Sequence, residues 1–271
     1  MSGFSADWLA LREPADAQAR AADLAGRFAR ALPRKARIAD LGAGAGSMGR
    51  WLAPFLPKDA RLFSVDGDAA LLVHSAPPRL RRSLGAAIPR ADAYVSSALI
   101  DLVSVGWLRK LLRAARGRPV LMCLAVDGRH GARPAHPRDP AFFAAFARHQ
   151  RRWKDLGAAL GPDAPLALAR EARRLGWTVH ARRSDWVLPA GDPARATLEG
   201  IAHAAREVQP GLTAAWPVRR GLTVGHADVL LLPHRCRRPA SRAGARRDTP
   251  ASPARPATRR RRGADPPRPR G

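Results

Sequence analysis

Cysteine, tyrosine and lysine are scarce in this chain of 271 residues, and no long apolar run is present. The two cysteines, Cys123 and Cys236, cannot build a disulfide framework, and neither belongs to a CxxC or Cys/His cluster that would bind a metal. No apolar stretch approaches the roughly 20 residues that a membrane-spanning helix needs. Residues 1–12 lack the basic region and apolar core of a secretory signal. We therefore expect a cytoplasmic protein with no metal site and no membrane span.

Arginine supplies most of the charge. Lys plus Arg total 48, of which four are Lys, against 22 Asp plus Glu, so the formal net charge is +26. Thirteen arginines and only two acidic residues fall in residues 235–271, interleaved with Pro, Ala, Ser and Gly. That segment has no apolar periodicity, so we predict a disordered Arg/Pro-rich tail. Residues 1–234 retain 35 basic and 20 acidic residues, a net +15, and are predicted to form a single domain.

Helical and strand-like patterns alternate from about residue 15 to residue 232, which is typical of a mostly parallel sheet covered by helices. The first helix is expected to begin at Pro14, with Leu24 and Phe28 on its apolar face. The strongest strand pattern is the continuous apolar run at 120–126, which is typical of a central strand. Further strands are predicted at 37–41, 61–65, 93–96, 177–181 and 227–232, with a weak one between 77 and 89.

A long excursion, residues 127–165, follows the central strand. We predict an irregular loop rich in Gly, Pro and His, and then a helix with Phe142, Phe146, His149 and Trp153 on one face. Loops at the carboxyl edge of such a sheet form the ligand crevice. The helix is therefore expected either to cover a small organic acceptor or to cap the edge of the sheet.

Closely spaced glycines follow the first predicted strand directly. The segment Ile38–Gly46 reads IADLGAGAG, and Asp66 ends the next strand twenty residues later. Glycines in this position let the backbone approach a ligand at the carboxyl edge of the sheet. A carboxylate at the end of the second strand can accept two hydrogen bonds from a ribose 2′,3′-diol. Together these features predict a ligand that contains a nucleoside.

The glycine spacing indicates which kind of nucleoside-containing ligand the loop can bind. A dinucleotide site has GxGxxG, whose third glycine allows close helix packing beside a pyrophosphate. Here that third position is Ser47, and Asp40 precedes the turn. Because a carboxylate repels phosphate and attracts a cation, the pattern favours a ligand that carries an ammonium group.

The run ADLGAGAG, with VDGD at residues 65–68, resembles the S-adenosyl-L-methionine-binding motifs of the class I (Rossmann-like) methyltransferases. The resemblance covers roughly residues 15–234. It implies a doubly wound α/β fold with a seven-stranded, mostly parallel sheet, helices on both faces and an antiparallel last strand. It also implies S-adenosyl-L-methionine as the cofactor.

Site residues follow from the same resemblance. It implies that Asp40 contacts the methionine part of the cofactor and that Asp66 holds the ribose hydroxyls. The fourth-strand segment 92–99 would line the methyl-donor pocket, and the acidic or amide residue that the family places near the adenine has no counterpart between 77 and 90. The remaining implied cofactor residues are Gly42, Gly44 and Gly46 in the turn, and Ser96 and Ser97 in the fourth strand.

Methyl transfer needs a general base only if the acceptor loses a proton, and three residues are weak candidates for it. Asp101 follows the fourth strand, Asp127 ends the fifth, and His149 lies in the excursion. Each has a plainer interpretation: Asp101 starts a helix, Asp127 forms a turn with Gly128, and His149 packs against its apolar neighbours. The catalytic residue is left unassigned among them.

Two other chemistries are disfavoured by particular residues. Amino-methylating nucleic-acid enzymes of this fold carry Asn or Asp, Pro, Pro and an aromatic residue after the fourth strand, where this chain has Ser96–Leu99. Covalent pyrimidine methylation needs a reachable thiolate, whereas Cys123 lies inside an apolar strand.

The favoured function is therefore methyl transfer from S-adenosyl-L-methionine, by in-line displacement, to a small-molecule acceptor in an enzyme of bacterial type. The net charge of +15 in residues 1–234 and the Arg-rich tail favour an RNA or other nucleic-acid methyltransferase as the alternative. A non-catalytic basic binding protein of the same fold is the third interpretation. Residues 8–20 either fold over the cofactor as a lid or form an ordinary first helix.

Overall fold

A computed structural model describes residues 5–212 and 220–233 of the chain. The predicted tail, 235–271, lies outside this part. The helices are α1 (Ala6–Ala19), α2 (Ala22–Ala31), α3 (Ser47–Leu52), α4 (Ala69–Leu72), α5 (Val105–Ala114), α6 (Asp139–Gln150), α7 (Ala164–Arg174) and α8 (Asp192–Val208). The strands are β1 (Arg37–Leu41), β2 (Arg61–Asp66), β3 (Arg79–Arg81), β4 (Ala93–Ser97), β5 (Val120–Arg133), β6 (Trp153–Lys154), β7 (Gly157–Ala158), β8 (Thr178–Arg183), β9 (Trp186–Pro189) and β10 (Gly221–Leu232).

The main sheet has the strand order β3-β2-β1-β4-β5-β10-β8. Strands β1 to β5 pair with one another in parallel, and β10 is antiparallel to both β5 and β8. This confirms the predicted mostly parallel sheet with an antiparallel last strand, including the weak third strand. Since β1 and β4 are adjacent while the chain crosses over between them, the order reverses direction there, and this is the point at which such sheets bind ligands.

Alternate residues of β1 face opposite sides of the sheet, and each side has its own apolar core. Ala39 and Leu41 pack with Leu108 of α5 and Leu168 of α7. Ile38, on the other face, packs in a second cluster that contains α2 and α3. The helices on both faces make the sheet doubly wound, as predicted. Residues 120–125 of the apolar run in β5 are all buried because they lie between these two layers.

The excursion after residue 126 is more regular than the sequence predicted. The irregular loop expected from Asp127 is wrong: β5 continues to Arg133 and pairs with the first half of β10, while β9 pairs with β10 from its other side. The ladder supplies backbone partners to a Gly- and His-rich segment that reads locally as a loop. Helix α6 packs against this extension and against α8.

Three further boundaries differ from the prediction. Pro14 lies inside α1, and Ser5 caps this helix. The apolar stripe that contains Leu24 belongs to a separate helix, α2, because the backbone is extended between the two helices. The predicted helix after β4 begins only at α5, after a 3-10 turn. Trp153 does not share a helix face with Phe142, because α6 ends at Gln150 and Trp153 is 81% exposed in β6.

A buried carboxylate ties α2 to the centre of the sheet. Asp228 in β10 is fully buried, and its two oxygens accept hydrogen bonds from the backbone N–H groups of Ala21 and Leu124, both at 2.8 Å. Ala21 precedes α2, and Leu124 lies in β5 with a positive φ of 53°. Because buried polar groups are costly unless they are hydrogen-bonded, this carboxylate fixes the start of α2 above β5.

Replacing Asp228 with alanine is expected to lower the free energy of unfolding by about 3 kcal/mol or more, since two buried N–H donors lose an acceptor worth about 1–3 kcal/mol each. Urea unfolding of the full chain measures this. Asp92→Ala is the matched control, because Asp92 accepts a hydrogen bond from one backbone N–H, that of Arg37, at an exposed position. This substitution should lower the free energy of unfolding by about half as much or less. Equal losses in the two variants would show that Asp228 has no special structural role.

Candidate cofactor site

The glycine loop between β1 and α3 has the backbone conformation that its sequence predicts. Gly42, Gly44 and Gly46 all have positive φ, at 67°, 52° and 85°. The N–H of Gly42 donates to the carbonyl of Val65 at 2.8 Å, which holds the loop against the end of β2. Residues that carry a side chain rarely adopt a positive φ. The loop therefore forms a tight turn at the carboxyl edge of the sheet.

Close packing around the loop also requires glycine. A Cβ atom at Gly46 would lie 2.8 Å from Cβ and 2.9 Å from Cα of Ser75. A Cβ atom at Gly44 would lie 3.2 Å from Leu9 of α1. The chain thus approaches the loop from two sides, and small residues keep the backbone accessible at its tip.

Asp66, at the end of β2, holds the loop and retains acceptor capacity. One carboxylate oxygen accepts from the N–H of Gly44 at 2.8 Å, and the other accepts from the N–H of Asp68 at 2.9 Å. Each carboxylate oxygen has two lone pairs, so both oxygens can accept one more hydrogen bond. The predicted ribose contact is compatible with this arrangement.

Asp40 is the most unusual group at this edge. It is fully buried in β1, and neither of its carboxylate oxygens has a hydrogen-bond partner among residues 5–212 and 220–233. Burial raises the pKa of Asp40 to about 7; the nearby cation Arg20 opposes this rise and the nearby Asp66 adds to it. A buried carboxylate without hydrogen-bond partners is costly, so Asp40 lacks, within the described residues, the compensation that a buried charge usually has.

Two serines at the end of β4 complete the base of the site. The hydroxyl of Ser96 donates to the carbonyl of Leu41 at 2.7 Å, which links β4 to the start of the loop. The hydroxyl of Ser97 accepts from Arg20 Nη2 at 3.0 Å. The parallel pairing of β1 with β4 therefore places both predicted serines beside the residues around Asp40.

Helix α1 lies across the glycine loop. Besides the contact of Leu9 with Gly44, Glu13 forms an ion pair with Arg50 of α3 at 2.6 Å. At the end of α1, the side chain of Arg20 is fully buried between Ser47 and Ser97. Sequence reasoning missed Arg20, because one arginine in an Arg-rich chain carries no local signal.

Asp101 lies at the same edge, in the 3-10 turn after β4. It is 6% exposed, and one of its oxygens has no hydrogen-bond partner in the part of the chain that the structure describes. Burial raises the pKa of Asp101 to about 6, against the opposing effect of Lys154 and Arg12. The plainer interpretation of Asp101 as a helix start is wrong, since Ser104 caps α5.

The other two base candidates have partners of their own. The carboxylate of Asp127 binds the guanidinium of Arg129, which also binds Asp185. His149 Nε2 lies 3.4 Å from a carboxylate oxygen of Glu207 on α8, and burial lowers the pKa of His149. The contacts thus place Asp127 in an ion network at the β5 extension and His149 at the α6–α8 contact, whereas one carboxylate oxygen of Asp101 has no hydrogen-bond partner among the described residues.

Burial also determines the protonation state of the Cys123 thiol. The residue is 2% exposed in β5, and burial together with the neighbouring Asp228 raises the pKa of its thiol well above the usual value. This agrees with a small core residue and not with a nucleophile. In the described residues, no three His, Cys, Asp or Glu side chains are placed to hold a metal ion. The helices found there are also too short or too polar to cross a membrane.

No protein-family model matches the chain, and no curated protein is similar to it in sequence. Solved structures do match. A cyclopropane-fatty-acyl-phospholipid synthase-like protein from Lactobacillus casei ATCC 334 aligns over 82% of this chain and 99% of its own, with 15% identity and a TM-score of 0.50. An S-adenosylmethionine-dependent methyltransferase from Geobacter sulfurreducens, in complex with S-adenosyl-L-homocysteine, aligns over 86% of this chain and 100% of its own, with 16% identity and a TM-score of 0.44.

The sheet order, the antiparallel last strand and the match to the Lactobacillus casei protein define the class of fold. It is a Rossmann-like α/β fold. At 15% identity the likeness is one of fold, and function has to be argued from the site itself.

Proposed function

We propose that this chain is an S-adenosyl-L-methionine-dependent methyltransferase that acts on a small-molecule acceptor. The observation that carries the proposal is Asp40, a fully buried carboxylate without a hydrogen-bond partner in the described chain, directly before the glycine loop. A ligand that brings an ammonium group to this position offsets the cost of burying the charge. The α-amino group of the cofactor is such a group.

The rest of the loop fits the nucleoside part of the same ligand. Gly42, Gly44 and Gly46 keep the backbone bare at the carboxyl edge, where a Cβ would meet other side chains. Asp66 keeps a free lone pair on each oxygen for a ribose diol. The fit therefore extends over both ends of the ligand.

The chain's own contribution to the reaction is alignment, enclosure and proton removal. When bound, the cofactor supplies a methyl group activated by a sulfonium, and displacement at that carbon depends mainly on geometry and on a dry site. Helix α1 covers the glycine loop through Leu9 and the Glu13–Arg50 pair. Asp101, with its pKa raised to about 6 by burial, is ionised at neutral pH and is our choice for accepting a proton from the acceptor.

Burial at the β4 edge supports the choice of a small acceptor. Asp101 is 6% exposed beneath the N-terminal region, where Arg12 of α1 acts on its charge. A compact acceptor is the size that reaches so buried a carboxylate. Nucleic acid remains the alternative acceptor because of the net charge of +15 in residues 1–234.

Calorimetric titration of the full chain with S-adenosyl-L-methionine tests the proposal. We expect micromolar binding, and we expect Asp66→Ala to weaken it by about tenfold or more, since two charge-assisted hydrogen bonds are lost. Asp92→Ala is the matched control, because Asp92 lies before β4 at the opposite edge of the sheet and caps the N–H of Arg37. No binding by a wild-type chain shown to be folded would overturn the proposed function, and equal weakening by both variants would overturn the role of Asp66.

A further inference from the structure

Three rings in β5, β9 and β10 carry buried nitrogen atoms that are not hydrogen-bonded. His226 is 3% exposed and Trp186 is 5% exposed. Both ring nitrogens of His130, Nδ1 of His226 and Nε1 of Trp186 have no hydrogen-bond partner among residues 5–212 and 220–233. Because buried polar atoms are usually hydrogen-bonded, these four atoms indicate a group that the described chain does not supply.

Strand pairing brings the three rings together beyond the glycine loop. Trp186 in β9 pairs with Val224 in β10, and Val224 pairs with His130 in the extension of β5. Side chains of directly paired residues lie on the same face of a sheet. The ring centroid of His226 lies 5.1 Å from that of Trp186. We refer to His130, Trp186 and His226 as the ring cluster.

Aromatic side chains and α1 surround the ring cluster. The ring centroid of His130 lies 5.3 Å from that of Phe143 and 5.7 Å from that of Phe146, both in α6. The guanidinium carbon of Arg12 in α1 lies 4.8 Å from the ring centroid of Trp186. A cavity of about 110 Å³ remains between α1 and β9, lined by Ala15, Gln18, Ala19, Asp185 and Val187. The packing of α1 therefore leaves room beside the strand that carries Trp186.

The rings of the cluster are uncharged at neutral pH. Burial lowers the pKa of His130 to about 4 and the pKa of His226 to about 3. A neutral imidazole has one N–H donor and one acceptor nitrogen, and an indole N–H only donates. His130 therefore offers one unused donor and one unused acceptor, and Trp186 offers a second donor.

The charged groups that border the ring cluster are paired with each other. Arg12 binds Asp16 at 3.1 Å, and Arg129 binds Asp185 at 2.7 Å as well as Asp127. A charged ligand buried here would lack a counter-ion, which is costly. A hydroxyl group is uncharged and both donates and accepts hydrogen bonds. Aromatic rings attract one another in offset or tilted contacts, so a flat ligand with a hydroxyl group fits the ring cluster.

We propose that the ring cluster binds the methyl acceptor, and that this acceptor is an uncharged aromatic compound with a hydroxyl group. The nitrogens of His130 and Trp186 hydrogen-bond the hydroxyl group, and the surrounding rings pack against the aromatic part. Arg12 acts on the charge of Asp101 as well as on His226, so the ring cluster and the proposed proton acceptor border the same side chain. The inference rests on the proposed function and names the class of its acceptor.

Three probes of similar size test this preference. The full chain is titrated calorimetrically with 2-naphthol, with 2-methylnaphthalene, which lacks the hydroxyl group, and with 2-naphthoate, which is charged. Each titration is made with and without S-adenosyl-L-homocysteine. We expect 2-naphthol to bind about tenfold more tightly than 2-methylnaphthalene, which leaves the ring nitrogens unpaired. We expect 2-naphthoate to bind about 30-fold more weakly than 2-naphthol, because its charge is buried without a counter-ion.

His130→Phe separates binding from a structural role, because it keeps an aromatic ring and removes both nitrogens. It should weaken 2-naphthol binding by about tenfold and change 2-methylnaphthalene binding by less than about threefold. Its urea midpoint should equal or exceed that of the wild type, since unpaired buried nitrogens are removed. His74→Phe, the same substitution at an exposed position, should change neither affinity. If His130→Phe fails to fold, Trp186→Phe decides by the same comparison of the two probes.

Several results would overturn the inference. One is the absence of 2-naphthol binding by the folded wild-type chain in both conditions, and another is equal affinity for 2-naphthol and 2-methylnaphthalene. Equal weakening of both probes in His130→Phe, or a lower urea midpoint, would make the ring structural. All of these leave the proposed function standing as long as the chain binds S-adenosyl-L-methionine. A folded chain that binds 2-naphthol but not S-adenosyl-L-methionine would instead overturn the proposed function and, with it, the assignment of this ligand as a methyl acceptor.

Discussion

Replacing Asp40 with asparagine is expected to weaken S-adenosyl-L-methionine binding by about 100-fold or more while stabilising the unliganded chain above pH 7. Removing one partner of a buried charge pair costs about 2–5 kcal/mol. In the free protein the same carboxylate is buried without a hydrogen-bond partner in the described residues. Since asparagine has the same shape and no charge, we expect the free energy of unfolding to rise by about 1–3 kcal/mol.

The contribution of Asp40 to the stability of the unliganded chain falls as the pH rises. Burial raises the pKa of Asp40 from its ordinary value of 3.8 to about 7, with Arg20 opposing this rise and Asp66 adding to it. Between these two pH values the folded chain binds more protons at this site than the unfolded chain, so the contribution of Asp40 to stability falls as the pH rises. The stability difference between Asp40→Asn and the wild type should therefore be small near pH 4 and largest above pH 7.

Cofactor affinity should change with pH in the opposite direction. An ammonium group binds the ionised carboxylate, so below about pH 7 binding requires loss of a proton and weakens by up to about tenfold per pH unit. Asp40→Asn should have a flat profile over this range. Urea unfolding without ligand and calorimetric titration, each from pH 5 to 8, measure the two effects.

Asp59→Asn is the control, since Asp59 lies in an exposed turn, and should change neither stability nor affinity. An Asp40→Asn chain that binds S-adenosyl-L-methionine as the wild type does would show that this carboxylate does not receive the ammonium group. A loss of stability at pH 8 would show that the carboxylate is structural.

The parts of the site that could be predicted are those that depend on local sequence. Gly42, Gly44 and Gly46 mark a turn because they tolerate positive φ, and Asp66 was recognised because it ends a strand one crossover later. Parallel strands bring these two segments to one edge without any long-range information. The alternation of strands and helices predicted the sheet for the same reason.

The parts that could not be predicted depend on contacts between distant residues. Asp228 accepts hydrogen bonds from Ala21, 207 residues away, and from Leu124, 104 residues away, and nothing in the segment around it indicates a buried carboxylate. The buried position of Arg20 likewise depends on distant residues, since its Nη2 donates to the hydroxyls of Ser47 and Ser97. The extension of β5 was interpreted as a loop because its partner, the first half of β10, lies about 90 positions further along the chain.

The structure adds contacts of α1 to the residues that the sequence indicates around the glycine loop. The sequence indicates cofactor recognition by the glycine loop, Asp40 and Asp66, and it leaves residues 8–20 open between a lid and an ordinary helix. In the structure α1 is both the first helix and a cover for the loop, and the residue that ends it carries an unused buried charge.

Replacing Gly46 with alanine is expected to lower the free energy of unfolding by about 2–4 kcal/mol. The φ of Gly46 is 85°, which costs an L-residue about 1–2 kcal/mol. The new Cβ would also lie 2.8 Å from Cβ and 2.9 Å from Cα of Ser75, a residue that is 1% exposed and cannot move freely. Overpacking of this kind costs about 1–3 kcal/mol.

Gly200→Ala is the matched control, because the same change is expected to have the opposite sign there. Gly200 lies within α8, is exposed, and has no described atom within 4 Å of the position that a Cβ would take. Alanine should stabilise this helix by up to about 1 kcal/mol. Urea unfolding of the two variants measures the difference in their free energies of unfolding. Titration with S-adenosyl-L-methionine should show weaker binding for Gly46→Ala alone. Relief of the contact with Ser75 displaces the loop, which the hydrogen bond from Gly44 to Asp66 holds in place. A Gly46→Ala chain as stable as the wild type would mean that this turn tolerates a side chain, and the argument that the loop is built for close approach to a ligand would fail at its most crowded position.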